Sequence, residues 1–464
     1  MWGIELRHKD EVSLARQIFL SIKQRILEGQ FSQGEALPST RELAKGLNVS
    51  RNTVCEAYDM LMAEGFIIRR QGAPTRVAEG LQLKMKKTTL PLEQKPKQPP
   101  ILWDFKTGQP DLSHFPLRIW GQLVHEAAST MTTSFLEYSD PKGYEPLCEE
   151  IAHWLFRSRS MEVNSEDVFI TSGATEALHL LVEMLHNDGQ SFVLETPSHQ
   201  GIQTILSDRR YPVHWIPVDQ QGADISMLKE KDISAVYVTP SHQFPLGSIL
   251  SAGRRAALIE FARENDFYII EDDYDSEFRY SGYPISPIYS MDSSHVVYVG
   301  TFSKALFPAL RIGFVVLPKQ LQKKWLHHRK YMDVQNPILE QIALTNFLQM
   351  RKMDKHIRRM NKVYGEKREI LLRSIEDMFG SSVQPWGDAS GLHIAIQFEG
   401  MEFGEEFIRK YRENGIRISS VSGYCPMKDS HKDKLLLGYG HLSHEKIIEG
   451  IKALHEIISN TIDL

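Results

Sequence analysis

Three short stretches of this sequence carry residues suited to holding a reactive aldehyde and a phosphate side by side. The first is Thr301-Phe302-Ser303-Lys304, with Arg311 seven residues beyond the lysine. A lysine amine forms a Schiff base with an aldehyde, while the hydroxyls of Thr301 and Ser303 and the Arg311 guanidinium can hold a phosphate. The second is Thr171-Ser172-Gly173-Ala174-Thr175, where a turn of small residues opens a helical pattern. Backbone N–H groups and the helix dipole converge there on Ala174 and Thr175, making a phosphate cup. The third is Glu271-Asp272-Asp273-Tyr274. Asp272 can pair with a protonated pyridine nitrogen, and Tyr274 can hydrogen-bond a phenolic oxygen on the same ring.

Each stretch sits against an apolar run that reads as a buried strand. His295-Val296-Val297-Tyr298-Val299-Gly300 precedes Lys304 and Phe314-Val315-Val316-Leu317 follows it, while Val168-Phe169-Ile170 and Tyr268-Ile269-Ile270 lead into the other two. With Ser191-Phe192-Val193-Leu194 and Ala235-Val236-Tyr237-Val238, these runs alternate with amphipathic stretches at 147–156, 176–185 and 254–264. Such alternation implies a mostly parallel sheet with helices on both faces. After Gln341 the pattern is largely helical to about Phe379. Strands then follow at 393–398, 417–419 and 434–437, with a last helix from Ser443. The expectation is an α/β body over 102–464, with a large sheet domain at about 140–340 and a smaller α+β domain at about 341–464.

The first 78 residues follow a different grammar. Leu14, Ile18, Ile22 and Ile26 repeat at helical spacing up to Gly29. Ser39 suits the N-cap of a short helix over 40–46, and Ser50 that of a second over 51–64. Two short helices joined by a tight turn fit a helix-turn-helix, with Ser50-Arg51-Asn52-Thr53 opening the second and Arg51 the expected major-groove reader. Residues 66–70 and 75–77, joined through Gln71-Gly72-Ala73-Pro74, read as a two-stranded wing. Residues 79–101 place Lys84, Lys86, Lys87, Lys95 and Lys97 among Pro91, Pro96, Pro99 and Pro100. That composition makes an extended, basic linker.

A chain of 464 residues, 42% hydrophobic and 24% charged, is a multidomain globular protein. It has neither a membrane-length apolar run nor a signal-peptide core. Cys55, Cys148 and Cys425 lie far apart, with neither metal-ligand nor disulfide-framework spacing, so no metal is expected and a reducing cytoplasm is the expected compartment. The formal charge of −5 divides into about +1 over residues 1–80, about +4 over 81–100 and about −10 over the rest. A basic connector beside an acidic body leaves local binding of nucleic acid open.

Leu37-Pro38-Ser39-Thr40-Arg41-Glu42-Leu43-Ala44, Val49-Ser50-Arg51-Asn52-Thr53-Val54 and Ala57-Tyr58 through Glu64-Gly65 resemble the winged helix-turn-helix head of GntR-family transcription regulators. The resemblance implies DNA contacts from Ser39, Arg41, Ser50, Arg51, Asn52 and Thr53. The family's wing tip usually reads glycine-x-glycine-threonine, whereas here Gly72 is followed by Ala73-Pro74-Thr75. Residues 102–464 resemble the fold-type I pyridoxal-phosphate enzymes of the aspartate aminotransferase family. That likeness implies Lys304 as the internal aldimine, Asp272 on the pyridine nitrogen and Tyr274 on the phenolate, with Ala174, Thr175, Thr301, Ser303 and Arg311 around the phosphate. In Thr196-Pro197-Ser198-His199, His199 stands where an aromatic side chain usually stacks on the ring. Tyr138, ahead of Gly143, belongs to a stretch that reaches the cofactor from the partner subunit, implying a homodimer.

Head and body together resemble the MocR/GabR subfamily of GntR regulators. Asp111-Leu112-Ser113-His114-Phe115-Pro116, Thr239-Pro240-Ser241-His242-Gln243-Phe244-Pro245, Asp272 to Tyr280 and Gly440-His441-Leu442-Ser443 carry the likeness further. It implies a regulator that binds double-stranded operator DNA and reads pyridoxal 5'-phosphate chemistry as a signal from an amine, an amino acid or the cofactor itself. The alternative is a working aminotransferase with an appended DNA-binding domain, which needs the same Lys304, Asp272 and Tyr274. Three positions favour the sensor. Phe244 stands before Pro245 in place of asparagine, Leu436 falls where an arginine would grip the α-carboxylate, and Gly201 falls where GABA-sensing members place a second one. Arg417 and Lys434 are the candidates to substitute for those anchors.

Overall fold

The computed structural model describes residues 4–7, 12–80, 99–229, 232–332, 335–387, 389–427 and 430–462. The chain divides into two compact units, Met1–Pro96 and Lys97–Leu464. The linker expected over 79–101 lies, from 81 to 98, outside the described residues.

In the first unit, helices α1 (Leu14–Leu27), α2 (Thr40–Leu47) and α3 (Arg51–Ala63) precede strands β1 (Ile67–Ile68) and β2 (Arg76–Val77). Ile18, Ile22 and Ile26 from α1 pack with Leu43, Val54, Ala57, Leu61, Ile67 and Val77 in one small core. Ser39 caps α2 in a reciprocal box: its hydroxyl accepts from the Glu42 N–H at 3.3 Å, and its own N–H donates to the Glu42 carboxylate at 2.9 Å. The Ser50 hydroxyl likewise accepts from the Thr53 N–H at 3.1 Å and starts α3. The wing ladder is shorter than expected, with Ile67 opposite Val77 and Ile68 opposite Arg76. Residues 34–37 run along the other side of β2: Val77 N–H donates to the Glu35 carbonyl and Leu37 N–H to that of Thr75.

The second unit begins with β3 (Trp103–Asp104), then α4 (Leu117–Thr130) and α5 (Glu145–Arg159). Its large sheet is built from β4 (Val168–Thr171), β5 (Ser191–Thr196), β6 (Val213–Asp219), β7 (Gly222–Ala223), β8 (Ile233–Val238), β9 (Tyr268–Asp273), β10 (Val296–Thr301) and β11 (Gly313–Val316). They lie in the order β4-β11-β10-β9-β8-β5-β6-β7. The five strands from β10 to β6 are parallel, while β11 runs against both its neighbours. Helices α6 (Ala174–Leu185), α7 (Gln200–Arg209), α8 (Ala252–Asn265), α9 (Lys319–Lys330) and α10 (Ile338–Gln349) complete the layers.

Alternation along the strands divides the core in two. Phe169, Phe192, Leu194, Ile270 and Val299 pack with α6, α7 and Trp325 of α9 on one face. Val168, Ile170, Val193, Ile269 and Val296 pack with α5, α8 and α10 on the other.

The long helix α11 (Lys352–Phe379) leads to β12 (Val383–Trp386), β13 (His393–Phe398), α12 (Glu405–Glu413), β14 (Ile416–Arg417), β15 (Ser419–Ser420), β16 (Lys434–Gly438) and α13 (His444–Ile462). The strand expected at 417–419 is two pieces. Ile416 and Arg417 pair in parallel with Trp103 and Asp104, whereas Ser419 and Ser420 join the small sheet β12-β13-β16-β15.

Candidate cofactor site

The ends of β4, β9 and β10 and the turn after β10 converge on a cleft of about 250 Å³. Ala174, Thr175, His199, Asp272, Tyr274, Thr301, Ser303, Lys304 and Arg311 all line it. In a mostly parallel sheet, the carboxyl ends of the strands are where a ligand crevice forms.

Lys304 is half-buried, and its Nζ donates to the Gly108 carbonyl at 2.7 Å. Burial lowers its pKa, outweighing the opposing pull of Asp275 and Asp272, so neutral amine is more accessible than on an ordinary lysine. Asp272 is buried, with Oδ2 receiving the Tyr237 hydroxyl at 2.7 Å. Its Oδ1 is buried with no hydrogen-bond partner. Burial pushes the carboxyl up to about 6 despite that one donor.

The phosphate side is built from backbone. Gly173 is the N-cap of α6 at φ +92° and supplies no side-chain cap, leaving the first-turn amides to a ligand. A Cβ there would lie 3.1 Å from the Arg311 guanidinium, which donates to the Ser172 carbonyl. The Thr301 hydroxyl donates to Ser303 Oγ at 3.0 Å.

Tyr274 lines the cleft, but its hydroxyl lies 3.0 Å from the His242 carbonyl, as donor, and 3.1 Å from His242 Nδ1. His242 Nδ1 also meets Asp275 Oδ1 at 2.8 Å in a buried pair. These partners, Tyr237 and His393 were not singled out from sequence. The signal for Tyr237 was a phenol in the middle of an otherwise apolar strand, which needs a polar partner.

His199 folds back to cap α7, its Nδ1 accepting from the Gly201 N–H at 3.2 Å. A Cβ at residue 201 would lie 2.7 Å from the imidazole, so the histidine and the glycine are one local arrangement. Confinement in the cleft and the nearby Lys304 push His199 down to about 4, and burial pushes His393 down to about 3. Tyr138 does not line the cleft and is 88% exposed. Leu436 is buried in an apolar cluster with Phe244, Val218 and Ala395. Arg417 pairs with Asp104 at 2.8 Å, and Lys434 with Asp433 at 2.9 Å; neither lines the cleft.

In the head, Arg41, Arg51 and Asn52 are exposed, and Arg51 Nε lies 3.4 Å from Thr40 Oγ1. Thr53 is half-buried, while Ser39 and Ser50 use their hydroxyls as caps.

Residues 14–77 match the gntR family of bacterial regulatory proteins, and residues 100–423 match the aminotransferase class I and II family. YdeL, an uncharacterised HTH-type transcriptional regulator of Bacillus subtilis (strain 168), is 34% identical over 96% of this chain and 96% of its own. PdxR, the HTH-type pyridoxine biosynthesis transcriptional regulator of Corynebacterium glutamicum, is 28% identical, with 91% of each chain covered. Among solved structures, Pyrococcus horikoshii kynurenine aminotransferase aligns with a TM-score of 0.72 at 27% identity, over 78% of this chain and 92% of that one.

A DNA-binding head fused to an aminotransferase-type body defines a transcription regulator whose cofactor is pyridoxal 5'-phosphate. The chain belongs to the GntR-family regulators of the MocR/GabR type. Among the described residues no helix is long and apolar enough to cross a membrane.

The cleft fits that cofactor. The orphaned Asp272 Oδ1 calls for a cationic ring nitrogen, and the uncapped start of α6 calls for a phosphate.

Proposed function

We propose that this regulator senses either an amine that bears no carboxylate or pyridoxal phosphate itself, and does so as a homodimer. One observation carries the reading. Among the described residues, the basic side chains lining the cleft besides Lys304 and Arg311 are His199 and His393, whose pKa values are pushed down to about 4 and about 3. An amino-acid carboxylate therefore meets no free bidentate guanidinium of the kind that aminotransferases use. A relative that bears the name of a pyridoxine biosynthesis regulator supports the second effector.

When bound, the cofactor supplies an aldehyde and an electron-withdrawing ring. Lys304 would provide the amine for it, and Asp272, held by Tyr237, would keep a ring nitrogen protonated. The amides of Ala174 and Thr175, the hydroxyls of Thr301 and Ser303, and Arg311 would hold the phosphate, and the His199 imidazole would be available to the ring. Tyr138 stands in solvent in a single chain, so its reach to a cofactor requires a second copy. In the DNA-bound dimer, Arg51 and Asn52 read base edges, Arg41 approaches the backbone, and Ser39, Ser50 and Thr53 set the helix starts against phosphates.

The test is a panel of amines and amino acids added to the cofactor-loaded protein, following the visible absorbance and operator mobility shift together. An amine with no carboxylate or added pyridoxal phosphate should change DNA binding, with GABA and aspartate inert. Clean spectral conversion by GABA or aspartate would sink the proposal and favour a working aminotransferase.

A further inference from the structure

A second polar cavity, of about 400 Å³, shares no lining residue with the cofactor cleft. It lies between the end of α5, the segment after β9 and the start of α11. Among the described residues, the guanidinium groups of Arg157, Arg279, Arg351 and Arg358 line it with the carboxyls of Glu277 and Asp354. Burial and the neighbouring Asp273 push Glu277 well above the usual carboxylate range, so the excess of positive charge is larger than the residue types suggest.

Arg157 and Arg351 share one loosely placed carboxylate. Asp354 approaches Arg157 at 3.9 Å and Arg351 at 3.8 Å, both beyond hydrogen-bond reach. Arg157 Nε and Nη2 are buried without a hydrogen-bond partner, as are Ser276 Oγ and Asn361 Oδ1. Trp154, only 2% exposed, also lines the cavity and has an unpartnered Nε1. Buried polar atoms left in this state are costly, and several around one cavity mark a place where a ligand completes the hydrogen bonding. The start of α11 adds to the field, because Arg351 occupies the N-cap position without a side-chain cap.

We propose that this cavity binds a small dianionic ligand, either a phosphate ester or a dicarboxylate, as a site separate from the cofactor cleft. Guanidinium forks match both kinds of oxyanion, and the indole N–H adds a neutral donor. The site has a route to the cofactor. Arg159 Nη2 holds Asp273 at 2.7 Å, next to Asp272, and Arg159 Nη1 reaches the carbonyl of Ser276 in the cavity wall at 3.5 Å.

The experiment uses the full-length protein loaded with pyridoxal phosphate, so that the phosphate cup of the cleft is filled. Inorganic phosphate and succinate are titrated separately against sodium chloride at equal ionic strength, with thermal midpoint and calorimetric heat as readouts. Saturable stabilisation by phosphate, by succinate or by both supports the site, and the stronger probe identifies the ligand class. Arg157→Ala and Arg351→Ala should each weaken it roughly tenfold with the visible cofactor band unchanged. Arg351 is exposed, so its variant decides the matter even where Arg157→Ala folds poorly. No saturable effect beyond chloride in the parent protein, or undiminished binding in Arg351→Ala, overturns the proposal.

Discussion

The head and the cofactor cleft place their working groups in opposite environments. In the head, Arg41, Arg51 and Asn52 stand in solvent on two short helices, and each helix start is set by a serine and the residue three positions on. In the cleft, Asp272 is buried, Lys304 is half-buried, and the contributing residues come from Thr107 through to His393. An exposed guanidinium gains its energy only when DNA arrives. A buried carboxyl bears a desolvation cost before any ligand arrives, which the ligand then offsets. Substitutions should therefore separate: in the head they change affinity with little effect on the fold, and in the cleft they trade stability against cofactor binding.

The largest effect is expected from Lys304→Ala. Without the amine, the visible cofactor band and the mass adduct trapped by borohydride should both disappear. Operator affinity should remain within a few-fold in a mobility-shift assay. Loss of DNA binding in parallel would show that head and cleft are one cooperative unit.

Asp272→Asn tests the trade directly. An amide cannot hold a protonated pyridine nitrogen by charge, so cofactor affinity should fall by roughly a hundredfold, the scale of a charge-assisted hydrogen bond. The cofactor-free protein should move the other way. The Asp272 carboxyl titrates at about 6 when folded, above its ordinary value of 3.8. Such a group favours the folded state below the unfolded pKa, and that advantage is lost as pH rises from about 4 through about 6. At pH 8 the neutral amide should thus be more stable than the parent by up to about 3 kcal/mol. The two should converge by pH 4, as read from thermal melts across pH. A variant that is less stable at every pH would place the weight on the Tyr237 hydrogen bond instead.

Much of this was legible from local patterns. The starts of α2 and α3 were readable because a cap is a contact between residues three apart, and β13 because Ile394, Ile396 and Phe398 recur at every second position of an antiparallel strand. Lys304, Asp272 and the Gly173 turn were readable because each ends a buried strand. Less legible was whatever depends on distant partners. Helix α9 is mostly polar, with Leu321 and Trp325 as its buried apolar residues, so its pattern is weak until the sheet above it is known. The division of 416–420 between two sheets depends on Trp103, more than 300 residues away. The donor of Tyr274 turns to the His242 carbonyl because the 239–245 loop approaches it, which spacing alone does not convey.

A smaller effect is expected in the head. Arg51→Ala should weaken operator binding about tenfold to a hundredfold, the loss of one bidentate base contact. The visible cofactor band should be unaltered. Reduced salt dependence without any change in sequence preference would reassign Arg51 to the phosphate backbone.

Ser39→Ala should have the smallest effect, and it asks whether the head is held by local bonds alone. The substitution removes the hydroxyl that accepts from the Glu42 N–H, leaving one first-turn donor to water. Loss of such a cap costs about 1 kcal/mol in comparable helices. The backbone and hydroxyl of Ser39 also lower the Glu42 pKa. The associated stability is present above the ordinary carboxylate pKa and is lost as pH falls through the folded one, the reverse of Asp272. Head melting in Ser39→Ala should therefore be depressed at pH 7 and show a flatter acid limb, while the cofactor band and its thermal release stay where they were. A matching loss of cofactor would mean that the buried site depends on the order of α2, and the contrast between an exposed, locally built head and a buried, globally built cleft would fail there.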